Sequence, residues 1–151
     1  MRLTLYSDYA LRILMYLGVN GGRRSSTAEI ARAFRISESH LTKVVHRLGR
    51  LGLVRTMRGR GGGLRLGRPP AEIQVGAVIR ETEEDFALTE CFTGNGCAVT
   101  PACRLRRMLN DAMAAFLAVL DRYTLADLIG EAGPDIARLL GLDAPSAEAP
   151  T

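Results

Sequence analysis

Cys91, Cys97 and Cys103 stand six residues apart in a stretch of turn-forming residues that includes Thr93-Gly94-Asn95-Gly96 and Pro101. Thiolates suit zinc, or iron with sulfide. Structural zinc sites use closer cysteine pairs and a fourth Cys or His. The two histidines, His40 and His46, are remote in sequence and six rather than four residues apart, so they do not share a helix face as metal-binding pairs do. Three cysteines with one ligand missing fit an iron–sulfur cluster. Three unrelated core thiols would lie among apolar residues, which this loop lacks. An odd cysteine number, no leader-like N-terminus and no apolar run of membrane-spanning length predict a cytoplasmic protein without a membrane partner.

Charge is distributed very unevenly over the 151 residues. Residues 21–70 carry twelve basic side chains against Glu29 and Glu38, a net +10, whereas residues 71–151 carry six basic against thirteen acidic, a net −7. A basic block of this size is the footprint of a polyanion, because neutralised phosphates release their counterions.

The elements within the block sharpen that reading. Ala10, Leu11, Leu14, Met15 and Leu17 predict a first helix over about 8–19, capped by Ser7 or Asp8. Ser26 followed by Glu29 is a capping box that opens a second helix. Ser37 then caps a third, with Leu41, Val44, Val45 and Leu48 inward. Its outer face offers Ser39, His40, Thr42, Lys43, His46, Arg47 and Arg50, the pattern of a helix-turn-helix recognition helix. Two short strands, 53–57 and 64–66, flank Arg58-Gly59-Arg60-Gly61-Gly62-Gly63 and form a wing. A phosphate-cradling loop would need Lys and Ser or Thr after the last glycine, and Leu64-Arg65-Leu66 stands there. The candidate major-groove residues are Ser37, Ser39, Thr42, Lys43 and Arg47, with Thr27 and His40 beside them. Arg58 and Arg60 are the candidates for a narrow minor groove.

After Pro69-Pro70 a helix is predicted over 71–84, with Ile73, Val75, Val78 and Ile79 inward. From about Pro101 a long helix carries Leu105, Leu109, Ala112, Phe116, Val119, Leu120 and Tyr123 on one side. That stripe suits a dimer interface; the alternative is packing against its own domain. Thr124 caps one more short turn. The expected fold is mainly α with a small β-hairpin. Residues 1–70 form a winged helix-turn-helix, 71–130 a cluster-binding loop and dimerisation helix, and 131–151 a short helix and disordered tail.

A winged helix followed by Cys-x5-Cys-x5-Cys resembles the Rrf family of bacterial iron–sulfur transcription regulators, to about residue 130. The likeness rests on Leu3-Thr4-Leu5-Tyr6-Ser7-Asp8-Tyr9-Ala10-Leu11-Arg12, His40-Leu41-Thr42-Lys43-Val44-Val45-His46-Arg47-Leu48, Arg58 to Leu66 and Thr89-Glu90-Cys91-Phe92. Pro101-Ala102-Cys103-Arg104-Leu105 and Tyr123-Thr124-Leu125-Ala126-Asp127-Leu128 extend it. The resemblance implies a homodimeric repressor that senses nitric oxide. It also implies one cluster per subunit on Cys91, Cys97 and Cys103, completed by Asp8 of the partner subunit. A 4Fe-4S cluster is favoured, and the spacing leaves 2Fe-2S open. The branch of the family that senses iron–sulfur supply places a His three residues after the third Cys, where this chain has Arg106. A redox or supply sensor, an iron–sulfur electron carrier and a clusterless DNA-binding protein are the competing readings. The carrier, or any enzyme, lacks paired carboxylates with a base and leaves the basic block unexplained.

Overall fold

The structure, a computed structural model, describes residues 2–59, 61–94 and 97–142. Helix α1 spans Leu5–Val19 and buries Ala10, Ile13, Leu14 and Leu17 along one stripe. It starts earlier than the apolar period suggested. Thr4, not Ser7 or Asp8, is its N-cap and accepts a hydrogen bond from the Ser7 amide, while Asp8 lies inside the first turn. Helix α2 (Thr27–Phe34) opens on the Ser26/Glu29 capping box. Arg35 then adopts a left-handed conformation (φ 55°) to turn the chain into α3 (Glu38–Arg50). Leu41, Val44, Val45 and Leu48 of α3 are buried against α1 and α2. Ser37 occupies the N-cap of α3, but its hydroxyl pairs with that of Ser39 at 2.8 Å instead of capping a backbone amide.

The wing consists of β1 (Val54–Met57) and β2 (Gly63–Leu66), antiparallel with Val54 opposite Leu66. Ser25 adds a third edge by exchanging two backbone hydrogen bonds with Leu64, at 3.1 and 2.7 Å. The helix predicted over 71–84 is interrupted. A short 3-10 turn (Pro70–Glu72) precedes α4 (Val75–Thr82), and Ile73 and Gln74 are extended. Tertiary pairing overrides helical periodicity here. The Val75 amide donates to the Tyr123 carbonyl and the Leu125 amide to the Ile73 carbonyl, at 2.9 and 2.8 Å. The four expected inward residues, Ile73, Val75, Val78 and Ile79, are all buried.

After two more 3-10 turns (Glu90–Phe92 and Thr100–Ala102), α5 runs Arg104–Leu120, followed by α6 (Leu125–Ile129) and α7 (Gly133–Leu139). Arg80 of α4 donates to both carboxylate oxygens of Asp121, 2.8 Å to Oδ2, and holds that carboxyl below its ordinary pKa. The apolar arc of α5 covers roughly 160° of the helix at about 100° per residue, and it is wider than the stripe expected. Half of it, Leu109, Met113, Phe116 and Leu120, faces the domain; Leu105, Met108, Ala112, Ala115 and Val119 are exposed. No helix among the described residues is long and apolar enough to cross a membrane.

Two glycines test this packing. A Cβ at Gly67 would collide with the backbone of Gly52 where α3 meets β1, whereas one at Gly49 meets nothing closer than 3.9 Å. Gly67→Ala is expected to cost about 1–3 kcal/mol, and Gly49→Ala to gain up to about 1 kcal/mol through helix propensity. Urea unfolding of the two variants reads both signs.

Candidate cluster site and nucleic-acid interface

The third helix presents its polar face because its apolar residues are consumed by the core. Ser37, Ser39, His40, Thr42 and Lys43 are exposed, with His46 and Arg50 on the same outward side. Thr42 donates its hydroxyl to the Glu38 carbonyl at 2.9 Å, leaving its lone pairs available to accept. Thr27 is half-buried in the first turn of α2. Arg58 is exposed at the wing, whereas Arg60 lies outside the described residues. The Tyr6 hydroxyl of α1 donates to the Lys43 carbonyl at 3.3 Å, fixing the middle of the recognition helix.

Arg47 is the exception on this face. Its guanidinium donates to the Glu81 carboxylate at 3.0 Å and to the Glu81 carbonyl at 3.3 Å, so an acidic residue of α4 occupies a side chain expected to meet DNA. The neighbouring residues are engaged as well. The Thr82 hydroxyl pairs with that of Ser7 at 2.7 Å in a fully buried contact. Glu83 accepts from the Thr4 amide at 2.9 Å and the Thr4 hydroxyl at 3.0 Å, at the start of α1. Three consecutive residues therefore bind α3 and α1 to the segment that leads into the cysteines. A cleft of about 800 Å³ lies beside them, lined by Tyr6, Arg47, Phe86, Met113 and Phe116 among others.

Cys91 is half-buried in the Glu90–Phe92 turn, with the Thr89 hydroxyl 3.0 Å from its sulfur. Cys97 is exposed, and Cys103 is the N-cap of α5. Arg106 lies 5.9 Å from the centroid of the Phe92 ring and so brings the two ends of the loop together. This arginine, which cannot ligate iron, is a fastener of the loop. Among the described residues no three His, Cys, Asp or Glu side chains gather as a single-ion site. The surroundings nevertheless suit an anionic, sulfur-rich group. The first turn of α5 has no side-chain cap and no acidic residue, and it carries Arg104, Arg106 and Arg107. Thr100 Oγ1 and Arg106 Nε are buried there with no hydrogen-bond partner.

Asp8 is half-exposed on α1 and paired with Arg12, at 3.0 Å to Nε and 2.9 Å between Oδ2 and the terminal nitrogen. Arg12 in turn stacks 5.6 Å above Phe34 at the end of α2. Glu81, Glu83, Arg12 and Arg106 were not singled out in the sequence for these contacts. Arg12 stands four residues after Asp8, the one spacing that could have revealed such a pair.

A family model described as Rrf2, iron-dependent transcriptional regulator, matches residues 3–131. The chain is 55% identical over 132 residues to the HTH-type transcriptional regulator NsrR of Geobacillus kaustophilus (strain HTA426), covering 85% of this chain and 90% of that one. It is 50% identical over 143 residues to the protein of the same name from Bacillus subtilis (strain 168), covering 93% and 97%. Among solved structures, the oxidized form of Staphylococcus aureus CymR matches with a TM-score of 0.68 at 27% identity, over 86% of this chain and 97% of that one. The structure of T. potens IscR matches with a TM-score of 0.65, also at 27% identity, over 87% and 88%.

If Glu81 withholds Arg47, Glu81→Ala should tighten binding to a fixed DNA duplex by up to about fivefold, the worth of an exposed ion pair. The slope of log affinity against log salt should steepen by up to about one. Fluorescence anisotropy over a salt series measures both; a variant identical to wild type would exclude Arg47 from the interface.

Proposed function

Because the chain belongs to the Rrf2 family of transcriptional regulators, we propose that it is a nitric-oxide-responsive repressor that binds operator DNA as a homodimer in the cytoplasm. The observation that carries this reading is the position of the cysteine loop. It begins just after the Glu81–Glu83 contacts that hold α1 and α3, and ends as the N-cap of α5. A change at the cysteines is thereby connected to the recognition helix by covalent chain and direct contacts.

Cys91, Cys97 and Cys103 hold an iron–sulfur cluster, with 4Fe-4S ahead of 2Fe-2S, and Asp8 of the partner subunit completes its ligands. When bound, the cluster supplies iron that reacts with nitric oxide, and a carboxylate is a harder ligand for it than the thiolates. The side chains around Asp8 relay the signal to the recognition helix. Asp8 has an alternative partner already within reach, Arg12, and Arg12 stacks on Phe34 of α2. An Asp8 drawn away as a cluster ligand would leave Arg12 without its carboxylate, and would thereby alter the support of α2 and, through the Arg35 turn, the angle of α3. Ser37, Ser39, His40, Thr42, Lys43 and Arg47 on α3, with Thr27, contact the major groove and backbone, while Arg58 and Arg60 reach the minor groove from the wing. The exposed half of the α5 arc receives the same face of a second copy. Two recognition helices must then sit one helical turn of DNA apart, about 34–36 Å, so a small rotation costs affinity steeply.

Protein purified without oxygen is expected to carry about four irons and four sulfides per subunit. Its visible absorption should bleach with nitric oxide while the operator is released in the same samples. About two irons, with a response to oxidants and none to nitric oxide, would favour a redox or iron–sulfur-supply regulator instead. A preparation that never takes up iron would overturn the cluster altogether.

Asp8→Ala is expected to keep its iron and some DNA binding but to show a blunted nitric oxide titration. An unchanged titration curve would remove Asp8 from the ligand set.

A further inference from the structure

The wing is short and glycine-rich. Its strands have four residues each, and Gly59, Gly61 and Gly63 all have positive φ, at 92°, 75° and 150°. A two-stranded hairpin of this size is only marginally stable by itself, and glycine adds conformational freedom that must be given up when the tip enters a groove. Inside the tip the Gly62 amide donates to the Gly59 carbonyl at 2.9 Å, and a second restraint comes from outside the hairpin, from the loop between α1 and α2.

That loop is itself fixed. Asn20, the C-cap of α1, is buried; its amide nitrogen donates to the Ser25 hydroxyl at 2.6 Å and its oxygen accepts from Arg23 at 3.2 and 3.0 Å. Ser25 is buried as well and pairs with Leu64 in both directions. A Cβ at Gly63 would lie 3.1 Å from the Arg24 Cβ and 3.2 Å from the Ser25 carbonyl, so β2 passes against this loop where only glycine fits easily. Arg24 stands between the two anchored residues, exposed, and its guanidinium donates to the carbonyl of Gly61 at the wing tip.

We propose that Arg24 is a positioning residue of the DNA interface, which clamps the tip of the wing in the orientation that enters the minor groove. The proposal rests on the regulator reading and deepens it by naming what orients the wing. One guanidinium nitrogen is committed to Gly61, and among the described residues no other contact engages the remaining nitrogens on the exposed edge, where they add positive charge beside a groove flanked by phosphates. Arg24 thus acts on sequence preference chiefly through the wing, and on general affinity through its charge.

The probe is a set of 30-base-pair duplexes enriched from a randomised pool by the wild-type protein, then varied between A·T and G·C at the bases beneath the wing. Arg24→Ala is expected to lower affinity about tenfold, to shrink the ratio between A·T and G·C flanks, and to speed amide exchange at Leu64. Arg24→Lys keeps the charge without the planar fork. It should restore the salt slope but not the flank ratio. A flank ratio unchanged in both variants, or full rescue by lysine, would make Arg24 an ordinary phosphate contact and overturn the proposal. If the wild type enriches no duplex, the regulator reading fails along with it, an outcome distinct from a wild type that binds and variants that match it.

Discussion

Helix α1 is the element on which most of the structure packs, and the placement of its neighbours depends on that constraint. It meets α2, α3 and β2 of the wing, and also α4, α6 and α7. A helix with Ala10, Ile13, Leu14 and Leu17 all at 2% exposure or less has no slack in which to move alone. Its ends are fixed by polar contacts as well, Ser7 with Thr82 at the start and Asn20 with Ser25 at the finish. The part of the protein that faces DNA and the part that holds the cysteines therefore share one structural member.

The relative strength of the contacts separates support from control. Burial of each large aliphatic side chain contributes about 1.5–3 kcal/mol, so the core around α1 decides whether the chain folds. Exposed ion pairs contribute a few tenths to about 1 kcal/mol. Arg47 with Glu81 and Asp8 with Arg12 fall in that weaker class, each side chain being more than a third exposed. Such pairs are too weak to hold the fold, yet comparable to the free-energy differences that shift a binding equilibrium several-fold. They can be exchanged for other partners without unfolding anything.

Local signals in the sequence were legible and long-range ones were not. The Ser26/Glu29 box, the inward stripe of α3, the hairpin and the Thr124 cap arise from neighbours a few residues apart, and the structure contains all of them. The start of α1 was misplaced because Thr4 precedes the apolar period that marks the helix. The break at Ile73 and Gln74 arises from backbone pairing with Tyr123 and Leu125, some fifty positions away, which no local pattern encodes. Within the candidate site, the polar face of α3 and the cysteine loop were visible as residue types. The engagement of Arg47 by Glu81, of Gly61 by Arg24 and of Phe92 by Arg106 joins residues 14 to 37 positions apart and emerges only when the chain is folded.

In the proposed dimer the α5 arc, half covered and half open to water, would tie the behaviour of the protein to its own abundance. Leu105, Met108 and Val119 are 54%, 60% and 43% exposed in the single chain, and a partner that covers them stabilises the folded state by mass action. Dilution of such a dimer would act as a mild denaturant does. In a cell that holds few copies, the level of synthesis would then set how much of the chain exists in the paired form able to occupy two half-sites at once, before any signal has arrived.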